Sequence, residues 1–265
     1  MTIDIAYARQ VATGAAYKAG EMLRGYFRDP LVIDKKGDKD LVTEADRAAE
    51  ETIIETIRYR FPDHDIMAEE SGRLDNHSGF CWIIDPLDGT TNFTHGIAIF
   101  SVSIALSIDG EIVAGVVLNP ATGELFAADS ESAAVVNGEP VSVSGTPVIE
   151  DALLVTGFPY DYKKHLKKLM TRFSRCLEAA GGVRRLGSAA LDLCYLACGR
   201  FDGYWEENLH PWDTAAGMLI ARQAGALVTD FSGEAFSPEK KELLATNGIL
   251  HQKIKNLLKI EEVDQ

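Results

Sequence analysis

The chain has 265 residues, 46% of them hydrophobic and 25% charged, with a formal net charge of −14. That length suits one large or two small globular domains, and no 18-residue apolar run marks a membrane-spanning helix. A surface this acidic repels nucleic acid and anionic membranes, so direct binding to either is not expected.

Met1-Thr2-Ile3-Asp4 lacks the basic region and apolar core of a signal peptide, which points to the cytoplasm. Apolar residues at Ile5, Ala8, Val11, Ala12, Ala15, Ala19, Met22 and Leu23 recur at helical spacing and predict a helix over 4–28, stopped by Arg28-Asp29-Pro30. Lys35-Lys36-Gly37-Asp38-Lys39-Asp40 reads as a charged loop, either a solvated turn or a functional one. Thr43 is placed to cap a second helix, with Asp46 three residues on and Ala45, Ala49, Ile53 and Ile57 along one face. Phe61-Pro62-Asp63 ends it, and Ile66-Met67-Ala68 is a short strand leading to Glu69-Glu70. Strands over 99–106 and 112–118 flank the hairpin turn Asp109-Gly110. Thr122-Gly123 opens a further arm at 124–128, and Asn137-Gly138 marks a turn before Val141-Ser142-Val143.

The second half alternates. It reads as a strand over 152–156, a helix over 161–179, a strand over 183–186, a helix over 188–198 and a strand over 201–205. A helix over 211–223 follows with Pro211 in its first turn, then strands at 227–229 and 243–245 and a final helix over 249–259. Cysteines at 81, 176, 194 and 198 show no paired framework. Cys194 and Cys198, one helical turn apart in an apolar segment, read as buried small hydrophobes rather than as half a zinc site. No linker, repeat or low-complexity tract divides the chain. It reads as a single domain over 1–265 with two sub-regions, about 1–145 and 146–265.

One stretch stands apart: Trp82-Ile83-Ile84-Asp85-Pro86-Leu87-Asp88-Gly89-Thr90-Thr91-Asn92-Phe93. An apolar run reads as a buried strand, and it ends in two carboxylates three residues apart. Pro86 biases Asp85 toward extended backbone and withdraws a donor from the turn. Gly89 permits a tight bend, and Thr90-Thr91 can open a short helix with free N–H groups. Carboxylates bind a hard cation, and N–H groups at a helix start bind phosphate oxygens. The residues alone therefore point to metal-assisted phosphate chemistry. A plain surface turn, which Asp, Pro and Gly also favour, does not account for the second acid beside two threonines behind an apolar strand. Bound cations would also reconcile a phosphate ester with so acidic a chain. Glu69 follows an apolar strand, as Asp85 does, but by itself Glu69-Glu70 reads more readily as a charged loop start. Asp213 falls in the first turn of a helix, where an acid ordinarily complements the helix dipole.

Four blocks in this order resemble the inositol monophosphatase family, the lithium-sensitive, magnesium-dependent sugar-phosphate phosphatases. They are Asp40-Leu41-Val42-Thr43-Glu44-Ala45-Asp46; Glu69-Glu70-Ser71-Gly72; Trp82 to Phe93; and His210-Pro211-Trp212-Asp213 with Ala224-Gly225-Ala226 downstream. Arg185-Leu186-Gly187-Ser188-Ala189-Ala190-Leu191-Asp192-Leu193 is similar to the bacterial branch. The resemblance covers most of the chain, from about Leu41 to Asn247. It implies an α+β fold, a layered α-β-α-β-α sandwich. It also implies a phosphomonoesterase with two or three Mg2+ per site, Mn2+ being able to substitute, in which a metal-activated water attacks phosphorus in line.

By the same resemblance Glu69 is a metal ligand, Asp85 bridges two ions, Leu87 offers its backbone carbonyl, and Asp88 and Asp213 hold the second ion. Glu69 and Thr90 orient the water. Asp46 holds Thr90 by a hydrogen bond, a plain helix cap being the other reading of that residue. Backbone N–H groups of Gly89 and Thr90, helped by Thr91, hold phosphate oxygens. Asp213 meets the hydroxyl beside the ester, Glu206 accepts from another hydroxyl with Glu207 as its neighbour, and Gly187, Ser188 and Ala189 lie where the ring hydroxyls sit. Lys35, with Lys36 the alternative, matches a loop lysine near the water and a third metal. Arg184 and Arg185 either border the pocket or stand in solvent. His210, Trp212 and Trp82 read as packing residues, and Phe158-Pro159-Tyr160 as structural or dimer-facing.

The expected partners are a small-molecule phosphate ester and a second copy of the chain in a homodimer. The expected substrate is inositol monophosphate. Fructose-1,6-bisphosphatase or broad sugar-phosphate activity is the enzymatic alternative, and histidinol-phosphate phosphatases belong to the same family. Thr91-Asn92-Phe93 favours the inositol branch over nucleotide phosphatases, which often carry Lys-Glu-Phe there. A regulatory partner of the transcription or ribosome machinery is the alternative of another class.

Overall fold

The computed structural model describes residues 3–27, 33–35 and 41–260, with the backbone alone for 33–35 and 41–43. Helix α1 (Ile5–Tyr26) starts where the Asp4 carboxylate accepts from the Tyr7 N–H at 2.9 Å, satisfying one of the orphan donors of a helix start. Strand β1 (Ile33–Lys35) pairs antiparallel with β2 (Leu41–Thr43), which runs straight into α2 (Glu44–Arg58). Glu44 and Asp46 in the first turn of α2 complement its dipole. The expected Thr43 cap and any role of the Lys35 side chain or of Lys36 lie outside what is described.

Eight strands form the larger sheet: β3 (Asp65–Ala68), β4 (Gly72–Leu74), β5 (Phe80–Asp88), β6 (Ser101–Ile108), β7 (Glu111–Asn119), β8 (Glu124–Asp129), β9 (Ser132–Val136) and β10 (Glu139–Pro140). Their order is β10-β9-β8-β7-β6-β5-β3-β4, antiparallel except for the β3/β5 pair. The Asp109-Gly110 and Asn137-Gly138 turns have positive φ at both residues, as two-residue hairpins require. A short helix α3 (Thr90–Thr94) follows β5. The second sheet takes β11 (Leu153–Thr156), β12 (Gly182–Arg184), β13 (Gly203–Glu207), β14 (Leu227–Thr229) and β15 (Glu242–Thr246) in the order β12-β11-β13-β15-β14. Between and after them come α4 (Leu166–Ala179), α5 (Ala189–Ala197), α6 (Pro211–Gln223) and α7 (His251–Leu258).

The layers follow from which faces are apolar. The alanine-rich face of α1 and the Ala49, Ile53 and Ile57 face of α2 cover one side of the large sheet. Helices α5 and α6 fill the space between the two sheets, and α4 with α7 closes the far side of the small one. The result is the α-β-α-β-α sandwich, with a separate apolar core at each of the three kinds of junction. Strand β5 is buried on both faces: Trp82 and Ile84 enter the α1/α2 core and Ile83 the α5/α6 core, at about 1.5–3 kcal/mol for each large side chain buried. Gly217 allows α6 to meet α5, since a Cβ there would stand 2.8 Å from the Leu193 Cβ.

Several boundaries differ from expectation for local reasons. The helix expected over 161–179 is a short 3-10 turn, Tyr162–Lys164, followed by α4, because His165 has φ −123° and breaks the helical path. The strand expected at 201–205 begins at Gly203; the Asp202 carboxylate, not a ladder carbonyl, accepts from Leu153 N at 2.7 Å. The strand expected at 183–186 ends at Arg184, and the Leu186 carbonyl accepts from Asn92 Nδ2 at 2.8 Å instead of pairing in the sheet. Short strands β1, β2, β4, β9 and β10 were not foreseen, and Lys35, expected to open a charged loop, instead ends β1.

Candidate active site

Two acids three residues apart on a regular strand point to opposite faces. Here they do not. Asp85 pairs with Ser103 and Asp88 with Ser101, so three steps on β5 match two on β6: a one-residue bulge. Pro86 tolerates this because it has no ladder donor to lose. The bulge turns Leu87 into the α1/α2 core, away from the side Ile83 occupies, and brings Asp88 back to the side of Asp85. The Asp85 carboxylate braces the bulge by accepting from Leu87 N at 2.9 Å. Gly89 then bends the chain at φ 92°, where a Cβ would lie 3.0 Å from the Ile99 carbonyl, and α3 begins at Thr90.

Other elements deliver the remaining acids. Parallel pairing puts Ala68 beside Ile84, and Glu69 N donates to the Ile84 carbonyl at 3.2 Å, so Glu69 arrives next to Asp85. Asp213 sits at the third position of α6 and accepts from His210 N at 2.7 Å, closing a capping box behind Pro211. It is thus a cap and a cavity wall at once. From α2, Asp46 accepts from Thr90 Oγ1 at 3.2 Å, and the Leu87 carbonyl lies 3.0 Å from the same hydroxyl.

Glu69, Asp85, Leu87, Asp88, Gly89, Thr90 and Asp213 share the wall of a cavity of about 200 Å³, with no lysine or arginine among its described lining residues. Burial first, then the charges of Glu69, Asp88 and Asp213, push the Asp85 carboxyl well above the usual range. Burial also raises Asp213, opposed by the His210 amide and reinforced by Asp88 and Glu69. Asp88 is raised by burial although four donors pull it down: Ser188 Oγ at 2.6 Å, Ala190 N at 2.9 Å, Ala189 N at 3.3 Å and Ser101 Oγ at 3.4 Å. Crowded oxygen donors without a basic side chain suit a hard divalent cation. Among the described residues the acids do not already close into a tight cage of three ligand side chains.

A second cavity of about 120 Å³ adjoins the first and shares Asp88, Gly89 and Asp213 with it. Thr91, Arg185, Gly187, Ser188, Ala189 and Glu206 line it. The neighbouring acids Glu206 and Glu207 both border it but take different partners. Glu207 is held by Arg172 and, at 2.9 Å, by Lys168 of α4. Glu206 accepts from the buried Tyr204 hydroxyl at 2.7 Å and fills the space that a Cβ on Gly157 would take. Burial pushes Glu206 up to about 7, against the pull of Tyr204 and Arg185. The Ser188 hydroxyl and the Ala189 amide, expected to face a ring, bond to Asp88 in this structure. Sequence reasoning missed Tyr204, Ser101 and Asp192. Asp192 is buried with neither carboxylate oxygen hydrogen-bonded, and burial with the charges of Glu206 and Asp88 drives its carboxyl well up. Only its place in an apolar helix, between Leu191 and Leu193, could have marked it.

The sequence pattern of the inositol monophosphatase family matches residues 4–262. The chain belongs to the inositol monophosphatase family. It is 46% identical over 251 residues to an inositol-1-monophosphatase of Synechocystis, covering 94% of this chain and 88% of that one. It is 43% identical over 244 residues to the Nus factor SuhB of Pseudomonas aeruginosa, covering 89% of this chain and 90% of the relative. The solved structure of an inositol monophosphatase from Anabaena matches it with a TM-score of 0.88 at 40% identity, over 97% of this chain and 96% of that one. The inositol monophosphatase family is one of metal-dependent phosphatases, and this chain is an enzyme of that class.

Proposed function

We propose that the chain is a Mg2+-dependent phosphomonoesterase that hydrolyses inositol monophosphate to inositol and phosphate. The observation that supports it best is the β5 bulge, which turns Asp85 and Asp88 to one side where Glu69 and Asp213 meet them, beside a polar cavity that holds Glu206. Glu69, Asp85, Asp88, Asp213 and the Leu87 carbonyl would hold two or three Mg2+, with Mn2+ as substitute. When bound, the metal supplies Lewis acidity at the phosphate and leaving oxygens and makes water a stronger acid.

The chain's own groups do the rest. Thr90 Oγ1 has one hydrogen, and both of its recipients, Asp46 and the Leu87 carbonyl, are protein atoms. Its lone pairs are then available to take a hydrogen of the attacking water, while Glu69 takes the other. The Gly89–Thr90 turn offers backbone N–H groups to phosphate oxygens. Asp213 and Glu206 accept from substrate hydroxyls, and Arg185 borders their cavity. Water oxygen bonds to phosphorus as the bond from phosphorus to the ester oxygen breaks, and of the water's two protons one ends on the released alcohol and the other on phosphate. No serine or cysteine nucleophile is required.

A phosphate-release panel with Mg2+ tests this, comparing inositol 1-phosphate, fructose 1,6-bisphosphate, histidinol phosphate and adenosine 3′,5′-bisphosphate. Inositol 1-phosphate should have the highest kcat/KM; a clear preference for another ester would replace the substrate named here.

The identity with a relative named as a Nus factor favours a second reading, a regulatory role in the transcription machinery. Pull-downs with wild type and Asp88→Asn separate the two, because a binding role should survive loss of the metal site. We also propose a homodimer in the cytoplasm. Exposed Leu166, Met170 and Leu177 along α4 support the first, and four free cysteines suit a reducing compartment. Light scattering should give twice the 28.9 kDa chain mass.

A further inference from the structure

We propose that Glu50 is a positioning residue for the hydrolytic centre, fixing through the backbone the turn that carries Glu69. The inference rests on the phosphatase reading above. Glu50 is 4% exposed and belongs to α2, one helical turn after Asp46. Its Oε2 accepts from Glu70 N at 2.8 Å and its Oε1 from Ser71 N at 2.8 Å. Both donors immediately follow Glu69, whose own N–H makes the last bond from β3 to β5. Beyond them Gly72 reverses the chain at φ 73°.

Glu50 lines a groove on the far side of the turn, with Arg47 and Ser71, and is not among the residues lining the catalytic cavity. It therefore acts on Glu69 without touching the reacting atoms. Residues i and i+4 share a helix face about 6 Å apart along the axis. Asp46 reaches Thr90 from that face, and Glu50 reaches the Glu69 turn. One rigid helix thus sets the separation of the two groups that orient the water. A misplacement of about 1 Å at such a pair costs on the order of 10²-fold in rate.

Asp65 provides a matched control. It is 2% exposed, lies at the other end of β3, and clamps a turn in the same way, accepting from Asn76 N at 2.7 Å and Ser78 N at 3.2 Å. The experiment compares Glu50→Gln, Glu50→Asp and Asp65→Asn. It reads kcat and KM for inositol 1-phosphate at saturating Mg2+, and the Mg2+ concentration giving half of the metal-induced rise in Tm. Glu50→Gln keeps the size but turns one acceptor into a donor facing an N–H. It should lower kcat about 10–100-fold with KM little changed, and should raise the half-saturating Mg2+ severalfold. Asp65→Asn should lower Tm and move neither. Glu50→Asp, one methylene short, should fall between wild type and Glu50→Gln, and it stands in if Glu50→Gln does not fold. Glu50 variants that lose Tm as Asp65→Asn does, yet keep wild-type kcat and Mg2+ dependence, would overturn the proposal. If wild type hydrolyses no ester, the Mg2+ melting series still reads the Glu50 effect, so failure of the substrate reading is seen separately.

Discussion

Asp88 does two jobs that pull in opposite directions. Its carboxylate accepts from Ser188, Ala189 and Ala190, and so caps α5 from outside that helix. It also crowds against the other acids, and burial outweighs the four donors in setting its proton affinity. Asp88→Asn keeps one acceptor oxygen for the start of α5 and relieves repulsion among the acids. The melting temperature without metal should therefore change little. The Mg2+-induced rise in Tm should vanish, and turnover should fall by about 10²–10³. A variant that melts far earlier yet turns over normally would make Asp88 a turn residue and nothing more. Gly89→Ala tests the bend itself. The left-handed backbone costs a side chain about 1–2 kcal/mol, and the new methyl would press on the Ile99 and Gly187 carbonyls at 3.0 and 3.2 Å. Urea denaturation should show a loss at least that large, with a parallel fall in kcat as Thr90 shifts.

Strand β5 shows what could and could not be read in advance. Its apolar run, its terminal acids and the Gly-Thr-Thr step were all visible in the chain. The bulge was not, since its signature is a mismatch with β6, and pairing register is not written in either strand alone. Glu206 and Glu207 make the same point: their roles split only because Arg172 and Lys168, more than thirty residues earlier, claim one of them. Glu50 was legible as a helix residue four after Asp46, but its partners lie beyond a helix end and a strand. The start of β5 is held by a stack in which His64 lies between Phe61 and Phe80, at 4.8 and 4.7 Å, and accepts from Trp82 Nε1 at 3.1 Å. Burial lowers the His64 pKa, with Asp63 and Asp65 opposing. A lowered histidine contributes its stability above the unfolded value of 6.5 and loses it as pH falls below that. The buried acids with raised pKa, Asp85, Asp192, Glu206 and Asp213, add stability as pH falls, with or without His64. The wild-type urea midpoint should therefore fall relative to that of His64→Gln between pH 7.5 and 5.5; a constant difference would remove His64 from the account.

The layered order of the molecule was expected from the family resemblance; the order of helices and strands along the chain permits it but does not by itself dictate which faces meet. The cavity was less legible, because its walls come from both sheets and from the helices between them. Removing metal should register across the whole fold. Excess chelator should abolish phosphate release and lower Tm, whereas Mg2+ at a hundred times its Kd should add about 2.7 kcal/mol. Lithium should inhibit uncompetitively or nearly so, and a flat response up to high lithium would count against the family's metal arrangement here. The chain order of the acids has a consequence for synthesis. Glu69, Asp85 and Asp88 leave the ribosome long before Asp213, and the partners of Asp88 at 188–190 emerge between them. A nascent chain stalled near residue 150 holds three of the four acids but neither the helix that Asp88 caps nor the helix that bears the last acid. Such a fragment should be hydrolytically silent. Hydrolysis becomes possible only once α6 has emerged and packed against β5.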